Sequence, residues 1–211
     1  MRFSHPIYPI TSTAHSGLNH KEQVERLAET GVSILQIREK TLVPREFFEE
    51  ARTALRVARD AGIKVIINDR VDIAHVLGAD GVHLGQDDLS PSHARRVLGV
   101  RAIIGYSTHT VEQAVAATEL PIDYIAFGPV FHTSTKQNPD DVTGIVELRK
   151  VRSVVGDFPL VAIGGIDAEN IELVSESGVD AAAVISVVFT DPDRIGNAVR
   201  NLTERWRNKI V

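Results

Sequence analysis

Asp69 and Asp88 each follow a short apolar run, Val65-Ile66-Ile67-Asn68 and Gly81-Val82-His83-Leu84, and Arg38, Glu39 and Lys40 follow a third, Leu35-Gln36-Ile37. A fourth, around Phe127-Gly128-Pro129-Val130-Phe131-His132, leads into Thr133-Ser134-Thr135-Lys136. Gathered on one rim, these acids, cations and hydroxyls would hold a metal ion against a polyphosphate. Arg38 and Lys40 lie two apart and face the same way in an extended segment. One offers a planar fork and the other a mobile point charge to phosphate oxygens. Mg2+ takes few carboxylates and keeps waters and substrate phosphates, so Asp69 and Asp88 would suffice. The ordinary readings are a solvated Arg-Glu-Lys edge and helix caps, the latter plausible for Asp87. No cysteine and no helical His-x-x-x-His pair speaks for zinc.

Other groups carry weaker signals. Thr133-Ser134-Thr135-Lys136 is rich in hydroxyls and ends in a cation, as phosphate loops do, but lacks the Walker glycine pattern. Gly164-Gly165 and Ile185-Ser186 suit a phosphate held between two late loops, where backbone N–H groups must approach closely. His109, just past Ser107, is a candidate general acid or base, or else a helix cap. His83 alternates with Val82 and Leu84 and is expected to pack on the barrel. His5, His15, His20, His75 and His93 join no constellation.

The elements that must position these groups alternate regularly. Strands are expected at 7–11, 33–38, 64–68, 81–84, 102–106, 124–128, 160–163 and 182–185. Helices are expected at 20–30, 44–61, 71–77, 91–98, 110–118, 142–155, 168–177 and 191–206. Pro44 and Pro91 suit first helical turns, and Gly31, Gly62, Gly99 and Gly178 suit helix ends. Eight strand-then-helix units with little polar alternation predict an α/β fold, a closed (β/α)8 TIM barrel rather than an open doubly wound sheet. No linker or composition break divides residues 1–211, so one catalytic domain is expected. In such a barrel the C-terminal strand ends form the active site. The candidate residues fall there.

Composition narrows the class. The chain has 211 residues, 43% hydrophobic and 24% charged, with a net charge of −5 and no cysteine. That charge argues against a general nucleic-acid binder while permitting a cationic cleft. No apolar run approaches the ~20 residues of a membrane span, and no signal-peptide core follows Met1, so a cytoplasmic enzyme is expected. Small-molecule partners are expected, and the composition is compatible with a homo-oligomer.

The ordered set Gln36-x-Arg38-x-Lys40, Asn68-Asp69-Arg70, Gly81-Val82-His83-Leu84-Gly85-Gln86-x-Asp88, Gly105-x-Ser107, Gly128-Pro129-Val130-Phe131-x-Thr133-x-Thr135-Lys136, Ile163-Gly164-Gly165-Ile166 and Val184-Ile185-Ser186 resembles the thiamine phosphate synthase family. The resemblance implies a Mg2+-dependent transferase of thiamine biosynthesis. It would join hydroxymethylpyrimidine diphosphate to thiazole phosphate and release pyrophosphate. It further implies that Gln36, Arg38, Glu39, Lys40, Asn68, Ser107 and Lys136 contact the pyrimidine diphosphate, with Arg38, Lys40, Ser107 and Lys136 catalytic. Asp69 and Asp88 would bind Mg2+, and Thr133, Ser134, Thr135, Gly165, Ile185 and Ser186 would contact thiazole phosphate. Departures are His132 for a usual proline, Gly144-Ile145-Val146-Glu147 for Gly-Leu-Glu, Ala181 for glycine, and no acid after Thr11. Two alternatives stay open. One is the related thiazole tautomerase, with His109 as its acid/base. The other is a non-catalytic phosphate-binding barrel.

Overall fold

The computed structural model describes residues 1–133 and 141–207. Eight strands form its centre: β1 (Ile7–Pro9), β2 (Ile34–Ile37), β3 (Lys64–Asn68), β4 (Gly81–Leu84), β5 (Ile103–Thr108), β6 (Tyr124–Phe127), β7 (Leu160–Ile163) and β8 (Ala181–Val184). They make one parallel sheet in the order β1-β8-β7-β6-β5-β4-β3-β2. The Ile10–Gln36 bridge, with the Thr11 N–H donating to the Gln36 carbonyl at 2.9 Å, joins β1 to β2 and closes the barrel.

Both strand faces are apolar because both are covered. Tyr8, Ile10, Ile34, Ile66, Tyr124, Ala126, Val161, Ala181 and Ala183 fill the interior. The alternate residues, among them Leu35, Val65, Ile67, Val82 and Leu84, pack outward against helices. Each such aliphatic side chain contributes roughly 1.5–3 kcal/mol on burial. The surrounding helices are α1 (Thr13–Ser16), α2 (His20–Leu27), α3 (Pro44–Asp60), α4 (Val71–Leu77), α5 (Pro91–Leu98), α6 (Val111–Ala117), α7 (Gly144–Val155), α8 (Ile171–Glu176), α9 (Ser186–Phe189) and α10 (Ile195–Arg207). Asn19 and Glu22 close a capping box on α2, and proline opens α3 and α5.

The acids before three even-numbered strands hold the barrel's lower edge. Asp80, Asp123 and Asp180 accept the backbone N–H of Val65, Ile104 and Leu160 at 2.9, 2.8 and 2.8 Å. Each therefore ties the start of one strand to its neighbour. Arg95 and Arg152 pair with Asp123 and Asp180. Charges here register strands, at the face of the barrel opposite to the C-terminal strand ends.

The structure departs from the sequence reading at several edges. β5 runs on through Ser107 to Thr108, because Ser107 and Thr108 still pair with Ala126 and Phe127 of β6. α1 and α9 were not expected; each has four residues, too few to show a helical period. α8 starts late because the Asp167 and Asn170 side chains accept nearby backbone N–H groups, offering an alternative to helix. The last helix is preceded by a separate 3-10 turn at Pro192–Arg194.

If Asp180 acts only in strand registration, Asp180→Ala should lower unfolding free energy by about 1–3 kcal/mol through the orphaned Leu160 N–H and Arg152. Urea denaturation would measure this. An unchanged midpoint would contradict the assignment.

Candidate active site

β3 and β4 deliver two carboxylates to one point. Asp69 is the only non-glycine residue with positive φ among those described, at 61°. L residues enter this left-handed region at a cost of roughly 1–2 kcal/mol, with aspartate and asparagine the best tolerated. The turn is held by the Asp69 N–H donating to the His83 carbonyl at 2.8 Å, one strand across. Asp88 is pinned from the other side, its Oδ2 accepting the Gly85 N–H at 2.7 Å. A Cβ on Gly85 would lie 3.2 Å from that oxygen, so glycine lets the loop close this tightly.

The electrostatics follow from the crowding. Burial raises the Asp69 pKa, Lys40 opposes it, and Asp88, within hydrogen-bond reach, raises it further. Lys40 Nζ lies 2.5 Å from Asp69 Oδ2. The guanidinium of Arg38, lowered by burial, is favoured in turn by Asp69 and Glu39. One residue before Asp69, Asn68 Nδ2 is buried with no hydrogen-bond partner among the described residues. Such an orphaned donor is costly unless a ligand acceptor meets it. A carboxylate pair beside phosphate-competent cations fits Mg2+. The described residues contain no group of three His, Cys, Asp or Glu that would suggest a site built by protein alone.

Glu39 organises the chain around the cations. Its Oε1 accepts the N–H groups of Lys40, Thr41 and Leu42 at 2.8, 2.6 and 3.3 Å, and the Thr41 hydroxyl at 2.7 Å. Burial alone would raise its pKa, but these bonds, led by Thr41, bring it to about 2. Its other oxygen lies 3.5 Å from Nε2 of His20, whose Nδ1 is 2.8 Å from the Thr11 hydroxyl. Thr11 Oγ1 also accepts the Arg38 N–H at 3.2 Å. His20 therefore belongs to a constellation after all. A histidine buried in a helix facing a strand end nine residues earlier leaves no local sequence signal.

Gln36 and Ser107 point inward, linked through Tyr8, Tyr124 and His83. His83 is thus held inside the barrel. Burial lowers its pKa to about 4, so the ring is neutral, and burial keeps both phenols protonated. Gln86 donates to the Ser107 carbonyl at 2.6 Å, tying the Asp88 loop to the end of β5. Asp87 does not cap α5; Ser90 occupies that position.

On the opposite side, Gly164 and Gly165 have φ of 101° and 62°. A Cβ on Gly165 would lie 2.3 Å from the His132 carbonyl oxygen, so loop-against-loop packing itself requires glycine there. Ile185 precedes α9 and Ser186 begins it, so a short extra helix follows β8, the kind of element that barrel phosphate sites use. His109 sits beside this half, its Nδ1 2.6 Å from the Gly128 carbonyl. Thr133 is the last described residue of its loop; Ser134, Thr135 and Lys136 lie outside the described residues. The structure thus brings Arg38, Lys40, Asp69 and Asp88 together, with Gln36 on β2, Asn68 on β3 and Ser107 on β5. Gly165, Ile185 and Ser186 occupy the far ends of β7 and β8.

Glu39 gives a pH test. Its folded pKa is depressed, so its stabilisation is complete above the unfolded value near 4.5 and is lost as pH falls through about 2. The difference in melting temperature between wild type and Glu39→Ala should be constant above about pH 5 and shrink toward pH 2. A difference that grows on acidification would contradict the clasp.

A family model described as thiamine monophosphate synthase matches residues 7–188. A thiamine-phosphate synthase of Desulfitobacterium hafniense is 38% identical over 185 residues, 88% of this chain and 88% of the relative. One of Syntrophomonas wolfei is 43% identical over 185 residues, again 88% of each chain. The solved thiamine phosphate pyrophosphorylase of Pyrococcus furiosus superposes with a TM-score of 0.85 at 32% identity, covering 98% of this chain and 97% of that one. The chain belongs to the thiamine monophosphate synthase family.

Proposed function

We propose that this barrel is a thiamine phosphate synthase that couples 4-amino-2-methyl-5-hydroxymethylpyrimidine diphosphate to thiazole phosphate with the help of Mg2+. The observation that carries the reading is the Asp69–Asp88 contact, set at adjacent strand ends beside Lys40 and Arg38. When bound there, Mg2+ would neutralise the diphosphate as negative charge develops on it.

The chain's own residues would do the rest. Arg38 and Lys40, held by the Glu39 clasp, bind diphosphate oxygens and stabilise the leaving group. Lys136, which follows β6 in the sequence, would add a third cation. Asn68 Nδ2 donates to an acceptor on the same substrate, satisfying its buried N–H. The bond from the pyrimidine methylene carbon to diphosphate oxygen breaks, and its electron pair leaves on oxygen. The ring's amino group spreads the resulting positive charge. Thiazole nitrogen, positioned through Gly165, Ile185, Ser186 and the hydroxyls of Thr133, Ser134 and Thr135, then donates its lone pair to that carbon. No protein nucleophile is needed, in keeping with a chain without cysteine. Both substrates are small, charged and water-soluble, which supports a cytoplasmic site of action. Among the described residues no helix is long and apolar enough to cross a membrane.

Retention of the whole cationic and acidic set favours coupling over thiazole isomerisation. The decisive assay supplies both heterocycles with and without Mg2+ and follows thiamine phosphate. Asp69→Asn and Asp88→Asn keep the turn and the Gly85 contact, yet should each lower kcat/KM by at least about 10²-fold. Full turnover in excess chelator would contradict the metal assignment.

His109 separates the two enzyme readings. His109→Ala should leave coupling within roughly tenfold of wild type, because ionisation needs charge stabilisation more than a tuned base. A loss of roughly 10²–10⁴-fold in thiazole isomerisation, on an enzyme without coupling activity, would favour the tautomerase.

A further inference from the structure

Glu39 stands between two cations in the sequence, yet its side chain takes a different course from theirs. Lys40 Nζ reaches Asp69 at 2.5 Å and Arg38 feels the same carboxylate, whereas Glu39 turns toward α1 and α2. An extended segment dictates this division, with residues 38 and 40 on one side and residue 39 on the other. Whatever holds Glu39 therefore fixes the direction of both cations. Its Oε1 is taken up by the Lys40, Thr41 and Leu42 N–H groups. Its Oε2 is met from behind: His20 Nε2 lies 3.5 Å away, an ion-pair distance rather than a closed hydrogen bond, and the Thr13 hydroxyl donates from 3.5 Å. His20 is 0% exposed. Phe47 of α3 packs against its ring with centroids 6.3 Å apart, its N–H faces Glu50 Oε2 at 3.4 Å, and its Nδ1 lies 2.8 Å from Thr11 Oγ1. Thr11 in turn grips β2 twice, its N–H donating to the Gln36 carbonyl at 2.9 Å and its Oγ1 accepting the Arg38 N–H at 3.2 Å.

Both ends of this path allow one direction. The Arg38 N–H can only donate, and an ionised carboxylate can only accept. Burial raises the Glu39 pKa, but hydrogen bonds led by Thr41 bring it to about 2, so it is ionised; burial lowers that of His20, so its ring is neutral. With its one proton on Nε2, the ring presents a donor to Glu39 and an acceptor to the Thr11 hydroxyl, which keeps a lone pair for the Arg38 N–H. In the other tautomer a lone pair would face the carboxylate, and the Thr11 hydroxyl would have no acceptor among the described residues. An apolar side chain would fill so buried a position at lower cost, so the two nitrogens are what histidine adds here.

We propose that His20 is a positioning residue for the diphosphate: it holds Glu39 from behind and so keeps Arg38 and Lys40 turned toward Asp69. It acts through Glu39 rather than on the substrate. Thr11 works with it by fixing the backbone one residue before Glu39. The choice of ligand rests on the synthase reading above, whereas the anchoring does not. A histidine that served stability alone would lower the melting temperature on removal without changing what the folded protein binds.

Calorimetry with inorganic pyrophosphate and Mg2+ tests this, on variants that thermal denaturation shows to be folded at the working temperature. His20→Leu should weaken pyrophosphate binding about tenfold and thiazole phosphate binding less than about twofold, since a lost support misplaces only the groups it supports. His20→Gln sets an amide N–H near the place of Nε2 and should bring pyrophosphate affinity back to within about threefold of wild type. Thr11→Val removes the hydroxyl while keeping the shape; it should also weaken pyrophosphate selectively, and it carries the test should His20→Leu not fold. In the wild-type protein, imidazole 15N NMR should show a neutral His20 protonated on Nε2. Unchanged pyrophosphate affinity in the folded variants, equal weakening of both ligands, or His20→Gln no better than His20→Leu would overturn the proposal, as would an Nδ1-protonated His20. Wild type that binds no pyrophosphate would instead overturn the synthase reading and this proposal together, an outcome distinct from any difference among the variants.

Discussion

The repulsion between Asp69 and Asp88 is the constraint to which the surrounding structure responds. Two carboxylates within hydrogen-bond reach, partly withdrawn from water, resist joint ionisation. The fold nevertheless holds them there, by a left-handed turn at Asp69 and by the Gly85 N–H on Asp88. Lys40 offsets part of the charge at 2.5 Å, and Arg38 stands behind it. Counting Glu39 with the two acids, three carboxylates face two cations, so the site is one cation short of balance when all are ionised. Adding a divalent ion and a polyphosphate completes it, since each compensates the other.

That local arrangement depends on longer-range order. Asp69 and Asp88 meet because β3 and β4 pair in parallel register, with Asn68 opposite His83. Arg38 and Lys40 face them because β2 pairs with β3 and because Glu39 gathers the next three N–H groups onto one carboxylate. His20 and Thr11 brace that loop from α2 and the end of β1. At the other edge of the barrel, Asp80, Asp123 and Asp180 set strand register far from the chemistry. These strand-end acids therefore divide by barrel face: Asp80, Asp123 and Asp180 before strands organise the fold, and Glu39, Asp69 and Asp88 after strands organise charge.

Much of this was legible in the sequence. The bounds of β3, β4, β7, α4 and α5 follow the expected ones, because Gly, Pro or Asp punctuates each run. The placement of Arg38, Lys40, Asn68, Asp69, Asp88 and Ser107 at strand ends required only the alternation of elements. What escaped was polar structure inside the barrel. His83 sits between two apolar residues, which reads equally well as packing or as function, and its partner Tyr124 is 41 positions away. Tyr8 and Tyr124 are 116 apart, and tyrosine in an apolar run gives no sign of what its hydroxyl meets. His20 escaped for the same reason. Such contacts are set by barrel closure and leave no trace in local spacing.

The account centres on an acidic pair that is completed by a divalent cation and a diphosphate together, and calorimetry of Mg2+ with inorganic pyrophosphate tests it most directly. Each ligand should bind weakly alone, and each should tighten the other by at least about tenfold, a coupling of roughly 1.4 kcal/mol that disappears in Asp69→Asn. Pyrophosphate binding of equal strength with and without Mg2+ would contradict the account.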